Sequence, residues 1–95
     1  MMLENKIYSM LSLCQRAGKL YSGGYSCDKT IKSGKAQLVI IAKDTGENSK
    51  KQFIDICRNN NVRVYLFGTK ENLGKYIGKG DKTIVCITDI NFKKS

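Results

Sequence analysis

The sequence predicts a layered α/β fold with helices on both sides of a small sheet. Three observations predict it. Short apolar runs rich in branched side chains alternate with segments of helical periodicity. One run, Leu38–Ala42, is apolar without interruption, which suits a central strand covered on both faces. No repeat, linker or change of composition divides the 95 residues, so one domain is expected over 1–95.

Each element has its own signal. Leu3, Ile7, Met10, Leu11 and Cys14 recur at helical spacing and form one stripe of a first helix, which Gly18 stops. "KLYS" is a short extended piece before Gly23 and Gly24. A second helix is expected from about Gly24 to Ser33, ended by Gly34, and "AQLVIIAKD" then supplies the central strand. A third helix begins within 46–49 and runs to Asn60, with Phe53, Ile54 and Cys57 inward, until "NNN" at 59–61 breaks it. In "VRVYLFG", Val62, Val64 and Leu66 alternate with Arg63, Tyr65 and Phe67, a strand with neither face wholly polar. After Gly68 comes a short helix, "KENLGKYIG", with Leu73, Tyr76 and Ile77 as contact residues. "TIVCITD" is the last strand, and "INFKKS" coils into a final turn.

Seventeen basic residues against eight acidic ones give a net charge of +9, which must lie on the surface because isolated buried charge is too costly. So basic a small domain points to a polyanion, nucleic acid before an anionic membrane, because its cations do not gather on one amphipathic helix. The longest apolar run falls far short of the ~20 residues of a membrane span. The N-terminus lacks the basic, apolar and small-residue zones of a signal peptide, so a soluble cytoplasmic protein is expected. Cys14, Cys27, Cys57 and Cys86 are widely spaced and histidine is absent, which argues against zinc. Each lies in an apolar pattern and reads as a reduced core residue.

A catalytic constellation is missing. Without histidine the usual general base is gone, and the acids are scattered. Asp44 and Asp89 each follow a strand, but read as turn or cap residues. "GYSCDKT" from Gly24 ends in Lys-Thr like a P-loop but lacks its second glycine, so nucleotide hydrolysis is rejected. No catalytic residue, metal or cofactor is expected.

The informative stretch is "SGGYSCDKTIKSGKA", residues 22–36. Its glycines let another chain approach the backbone closely, and amides at a helix start favour phosphate. Lys29 and Lys32, read as lying in an early helical turn, face the positive end of the macrodipole, an unfavourable placement that a bound anion would offset. They share a helical face, with Lys35 at its edge. Tyr25 either stacks on an unpaired base or lies half-buried over the sheet, the second reading being preferred by a small margin.

The order of these motifs resembles the kink-turn RNA-binding ribosomal-protein superfamily, of L-seven-Ae and L-thirty-e type. "LSLCQRAGKLYSG" is similar to its first helix and edge strand, "KTIKSGKAQLVIIAKD" to its second helix, glycine turn and central strand, and "CRNNNVRVYLFGTKENLGKYIG" to the next strand and its flanking helices. The "SG" start, "LGKYIGK" and the "VTD"-like ending resemble the small bacterial YlxQ-type branch. The resemblance implies a three-layer α-β-α sandwich with a small mixed sheet of about four strands, no enzyme activity and no cofactor. It implies binding to sharply bent RNA through a glycine-led loop and the start of the second helix, at positions that fall here on Gly23, Tyr25, Ser26 and Lys29. Tyr25 and Ser26 stand where the family carries a polar residue and an acid or amide, and "GKGDKT" replaces an apolar loop with groups suited to phosphate. The expected RNA-binding set is therefore Gly23, Gly24, Tyr25, Ser26, Lys29, Lys32 and Lys35, with Lys79 and Lys82. Structured RNA, ribosomal in origin, is the expected partner, along with other ribosome-associated proteins and no membrane. The alternative is a protein-interaction module of a ribosome or transcription–translation assembly.

Overall fold

The computed structural model describes residues 2–92. The chain runs through α1 (Met2–Arg16), β1 (Leu20–Ser22), α2 (Gly24–Lys32), β2 (Leu38–Ile41), α3 (Glu47–Asn59), β3 (Arg63–Leu66), α4 (Lys70–Tyr76) and β4 (Ile84–Ile87). A 3-10 turn over Ile90–Phe92 realises the expected final turn, whose remainder, 93–95, lies outside the described residues.

Side-chain parity along β2 organises the interior, because successive residues of a strand point to opposite faces. Leu38 and Ile40 join Tyr8, Leu11, Cys14, Leu73, Ile77, Val85 and Ile87, so α1 and α4 cover one face of the sheet. Val39 and Ile41 join Cys27, Ile31, Cys57, Ile84 and Cys86, so α2 and α3 cover the other. The expected three-layer α-β-α sandwich is thus the observed architecture. Its sheet is mixed, in the order β1-β4-β2-β3. β4 runs antiparallel to both β1 and β2, while β2 and β3 are parallel. β2 and β4 are buried at every position, whereas β3, on the sheet's edge, is mostly exposed.

Among the described residues, α1, α2, α3 and α4 all end in the same way. The residue two beyond the last helical one takes a positive φ: Gly18 (72°), Gly34 (81°), Asn61 (56°) and Gly78 (73°). The next amide reaches back to a carbonyl in the last turn: Lys19 to Cys14, Lys35 to Thr30, Val62 to Cys57 and Lys79 to Gly74. This is the Schellman closure, and it satisfies carbonyls that a helix end leaves orphaned.

One expectation about the core fails. Leu3 is 71% exposed, outside the stripe that Leu11 and Cys14 bury. The residues of α1 that reach the core begin with Ile7 and Tyr8, a turn later than Leu3. All four cysteines are buried and free, as expected. Among the described residues no helix is long and apolar enough to cross a membrane.

Candidate functional site

β1 passes into α2 through one residue. Gly23 holds φ 90° and ψ 155°, an extended conformation of positive φ that is essentially reserved for glycine. Its amide donates to the Ile84 carbonyl at 3.0 Å and prolongs the β1–β4 pairing. Its carbonyl accepts the Cys27 amide at 3.0 Å, the first internal bond of α2. The amides of Gly24, Tyr25 and Ser26 precede that bond, and no side chain caps the helix. A Cβ on Gly24 would stand 3.1 Å from Phe53 Cζ, so the helix start is pressed against α3. Beneath it the Cys27 thiol lies near the carbonyls of Tyr21 (3.5 Å) and Ile84 (3.8 Å). A hydrogen bond to the Cys86 thiol, together with burial, raises the Cys27 pKa, so the anchor is neutral.

Tyr25 corrects the preferred sequence reading. It is not half-buried over the sheet but 77% exposed, and the Lys29 ammonium stands 5.4 Å from its ring centroid. The reason is its place on the first turn of α2, on the side away from the buried residues Cys27, Thr30 and Ile31.

The placement of the lysines corrects a second expectation. α2 spans only nine residues, and Lys29 and Lys32 lie in its last turn. Cations there complement the negative end of the macrodipole, so nothing about them demands an anion. The case for an anion rests instead on the open amides of the helix start. Lys32 also forms an ion pair with Asp28 at 3.2 Å, leaving Lys29 as the cation of α2 nearest the tyrosine. Lys35 does not join the group. It follows the closing turn of α2, about 13 Å along the axis from Gly24, beside the end of β4 where Gln37 donates to Ile87.

The loop after α4 does reach the glycine end of the sheet. A Cβ on Gly74 would collide with the Gly80 carbonyl, so this loop is wound directly onto the helix. The Lys82 amide donates to Lys70 (2.9 Å), and the Thr83 carbonyl accepts from Ala42 (2.8 Å). Lys82 thereby stands two residues before Ile84, the acceptor for Gly23, while Lys79 is exposed farther out along the loop.

The structure adds two cations that the sequence reading missed. Lys43 and Lys70 are exposed at this same end, held by Lys43 N–H to the Gly68 carbonyl (2.8 Å) and by Lys70 N–H to the Asp44 carboxylate (2.9 Å). Their signal was available, since Lys43 follows the central strand and α/β sites gather beyond the carboxyl ends of strands. Lys50 is different: its side chain is 16% exposed and its ammonium bonds the Lys43 carbonyl (3.1 Å) and Glu47 (3.4 Å), bracing the β2–α3 turn. Asp44 and Asp89 are turn or cap residues as expected, the latter accepting the Asn91 amide at 3.0 Å. Among the described residues no three His, Cys, Asp or Glu side chains converge as metal ligands.

Comparison with known proteins agrees with this architecture. A sequence profile described as "Ribosomal protein L7Ae/L30e/S12e/Gadd45 family" matches residues 5–95. RNA-binding protein YlxQ of Bacillus subtilis is 32% identical over 85 residues, covering 90% of this chain and 85% of that protein. Large ribosomal subunit protein eL30 of Eremothecium gossypii is 32% identical over 77 residues, covering 80% and 73%. The solved structure of the Giardia lamblia 15.5kD RNA binding protein superposes with a TM-score of 0.80 at 20% identity, over 94% of this chain and 76% of that one, a likeness of fold. With the profile spanning nearly its whole length, the chain belongs to the ribosomal protein L7Ae/L30e/S12e/Gadd45 family.

Proposed function

We propose that this protein is a non-catalytic RNA-binding protein, associated with ribosomal RNA, that grips a bent, kink-turn-like strand at the corner between β1 and α2. Family membership and the RNA-binding or ribosomal names of its relatives support the class of ligand. The observation that carries the site is the conjunction at that corner. Three amides without a side-chain cap lie beside an exposed tyrosine ring with a lysine over it. Amides at a helix start coordinate phosphate, while an exposed ring gives an unpaired base a face to stack on. Gly23, with open space where a Cβ would stand, admits the strand, Tyr25 stacks, and Ser26 contributes a single hydroxyl in place of a two-point base reader. Lys29, Lys82, Lys43 and Lys70 supply surrounding charge, with Lys79 and Lys32 as outer contacts.

Binding should be measured to a kink-turn RNA, a plain duplex and a structured ribosomal RNA fragment across a range of salt. Four to six phosphate contacts give a log–log slope of about −3 to −5. Replacing Lys29 and Lys32 by alanine is expected to weaken binding and make the slope shallower by about one to two. No binding to any of the three RNAs at low salt would defeat the proposal.

One observation favours the second reading, a protein-interaction module. An apolar groove of about 290 Å3 lies between α1 and the open edge strand, lined by Ile7, Met10, Tyr65, Leu66 and Phe67. Tyr65 and Leu66 are each nearly half exposed there.

A further inference from the structure

The far end of the sheet holds a cleft remote from the β1–α2 corner. This cleft of about 680 Å3 opens between the closing turns of α2 and α3, lined among others by Gly34, Gln37, Arg58, Asn60, Asn61 and Arg63. The chain has three arginines among its seventeen basic residues, and two of them meet in this cleft. That concentration matters because the guanidinium group is a planar fork, able to grip phosphate at two points and to lie flat on a base, whereas lysine is a point charge. Arg58 has an ordinary explanation in part: it lies in the last turn of α3 and stands 3.7 Å from Asp55. Arg63 has none, since it sits on the edge strand with no acid within ion-pair distance among the described residues.

The neighbouring groups narrow the ligand. Gln37, Asn60 and Asn61 bring amides to the lining, groups that can both donate and accept, although the Gln37 amide nitrogen already donates to the Lys35 carbonyl at 3.4 Å. The Asn60 amide nitrogen is held by the Ile56 carbonyl at 2.8 Å, which leaves its oxygen available. Two helix C-termini also converge here, bringing negative partial charge, although their closing turns already occupy several of the carbonyls. A surface that mixes forks, amide donors and amide acceptors with carbonyl ends is poorly suited to a bare anion. It matches a nucleotide, whose base edge carries both donors and acceptors and whose phosphate accepts only.

We infer that this cleft binds an unpaired nucleotide of an RNA strand, with Arg58 and Arg63 on its phosphate and ring and the amides on its base edge. The inference rests on the RNA-binding reading above but uses the opposite end of the molecule, about one α2 length from Gly24. A chain bound at both ends would hold two separate segments of one RNA.

The test is a titration of the full chain, labelled with nitrogen-15, by three probes: an unstructured four-nucleotide RNA, the corresponding free mononucleotides, and inorganic phosphate. The side-chain signals of Arg58, Arg63, Asn60 and Asn61 report the cleft, and the backbone amides of Gly24, Tyr25 and Ser26 report the other corner in the same spectra. The oligonucleotide is expected to shift the cleft signals, mononucleotides to do so at least tenfold more weakly, and phosphate not at all. The exposed pair Arg58→Gln and Arg63→Gln, with unchanged melting temperature, is expected to lose about tenfold or more of the oligonucleotide affinity read at the remaining amides. Cleft signals that stay still at millimolar oligonucleotide overturn the inference, whatever the Gly24–Ser26 amides do. Phosphate acting as strongly as the oligonucleotide overturns it in favour of a bare anion site. Mononucleotides binding equally well overturn the RNA strand as the source.

Discussion

Tyr25 is the residue on which the proposed contact turns, and its exposure gives it a clean test. Tyr25→Ala is expected to weaken RNA binding by about 5- to 160-fold, the ~1–3 kcal/mol of one stacked base, while Tyr25→Phe retains most of the affinity. The melting temperature should not move in either variant, because the ring leaves no buried contact behind. Gly74 tests the other contributor. Its missing side chain lets the loop bearing Lys79 and Lys82 lie directly on α4, so Gly74→Ala must push backbone away. About 1–3 kcal/mol of stability should be lost in urea unfolding, together with altered amide shifts over residues 78–82. The sequence leaves stacking and half-burial both open for Tyr25, and it gives no sign of the role of Gly74. A single tyrosine between glycine and serine has no periodic partner to say whether it points in or out, and no local pattern signals that a helical glycine will meet a loop six residues ahead.

At the level of elements, most was legible, because β2's unbroken apolar run and the glycine stops are local signals. What failed was position along a helix. Lys29 and Lys32 were placed near the start of α2 when nine residues make them its end, which reversed the sense of the dipole argument. Similarly, Lys35 was grouped with the glycines through closeness in sequence, although the helix carries it to the opposite end of the sheet. The closing turn that does this makes its own prediction. Gly34 holds φ 81° with nothing near a would-be Cβ, so Gly34→Ala suffers only conformational strain. A loss of about 1–2 kcal/mol is expected from denaturant midpoints, with the RNA binding proposed for the Gly23 corner unchanged. Equal losses of stability and RNA affinity would mean that the turn also serves the other end.

Across the whole molecule, the sheet divides a core of three buried thiols, Cys27, Cys57 and Cys86, from a core built on Tyr8, Leu11 and Leu73. Burial, followed by the neighbouring Cys86, pushes the Cys57 thiol up to about 11 from an ordinary 9.0. Between those values the folded chain keeps a proton that the unfolded chain has lost, so stability is fully present below about pH 9 and falls as pH rises toward about 11. Urea midpoints taken through that window should decline, and Cys57→Ala should make the decline shallower without abolishing it, because the Cys27 pKa is raised as well. Composition alone foretold a basic surface, yet it did not foretell its division between two ends, since that follows from which way each helix runs.

Gly23 has a consequence for how quickly a partner is captured. Its amide is tied to one strand and its carbonyl to the helix it begins, so the corner has no slack to take up before contact. Encounter, rather than rearrangement of the protein, should therefore set the pace of association, and whatever bending the complex requires falls to the nucleic acid.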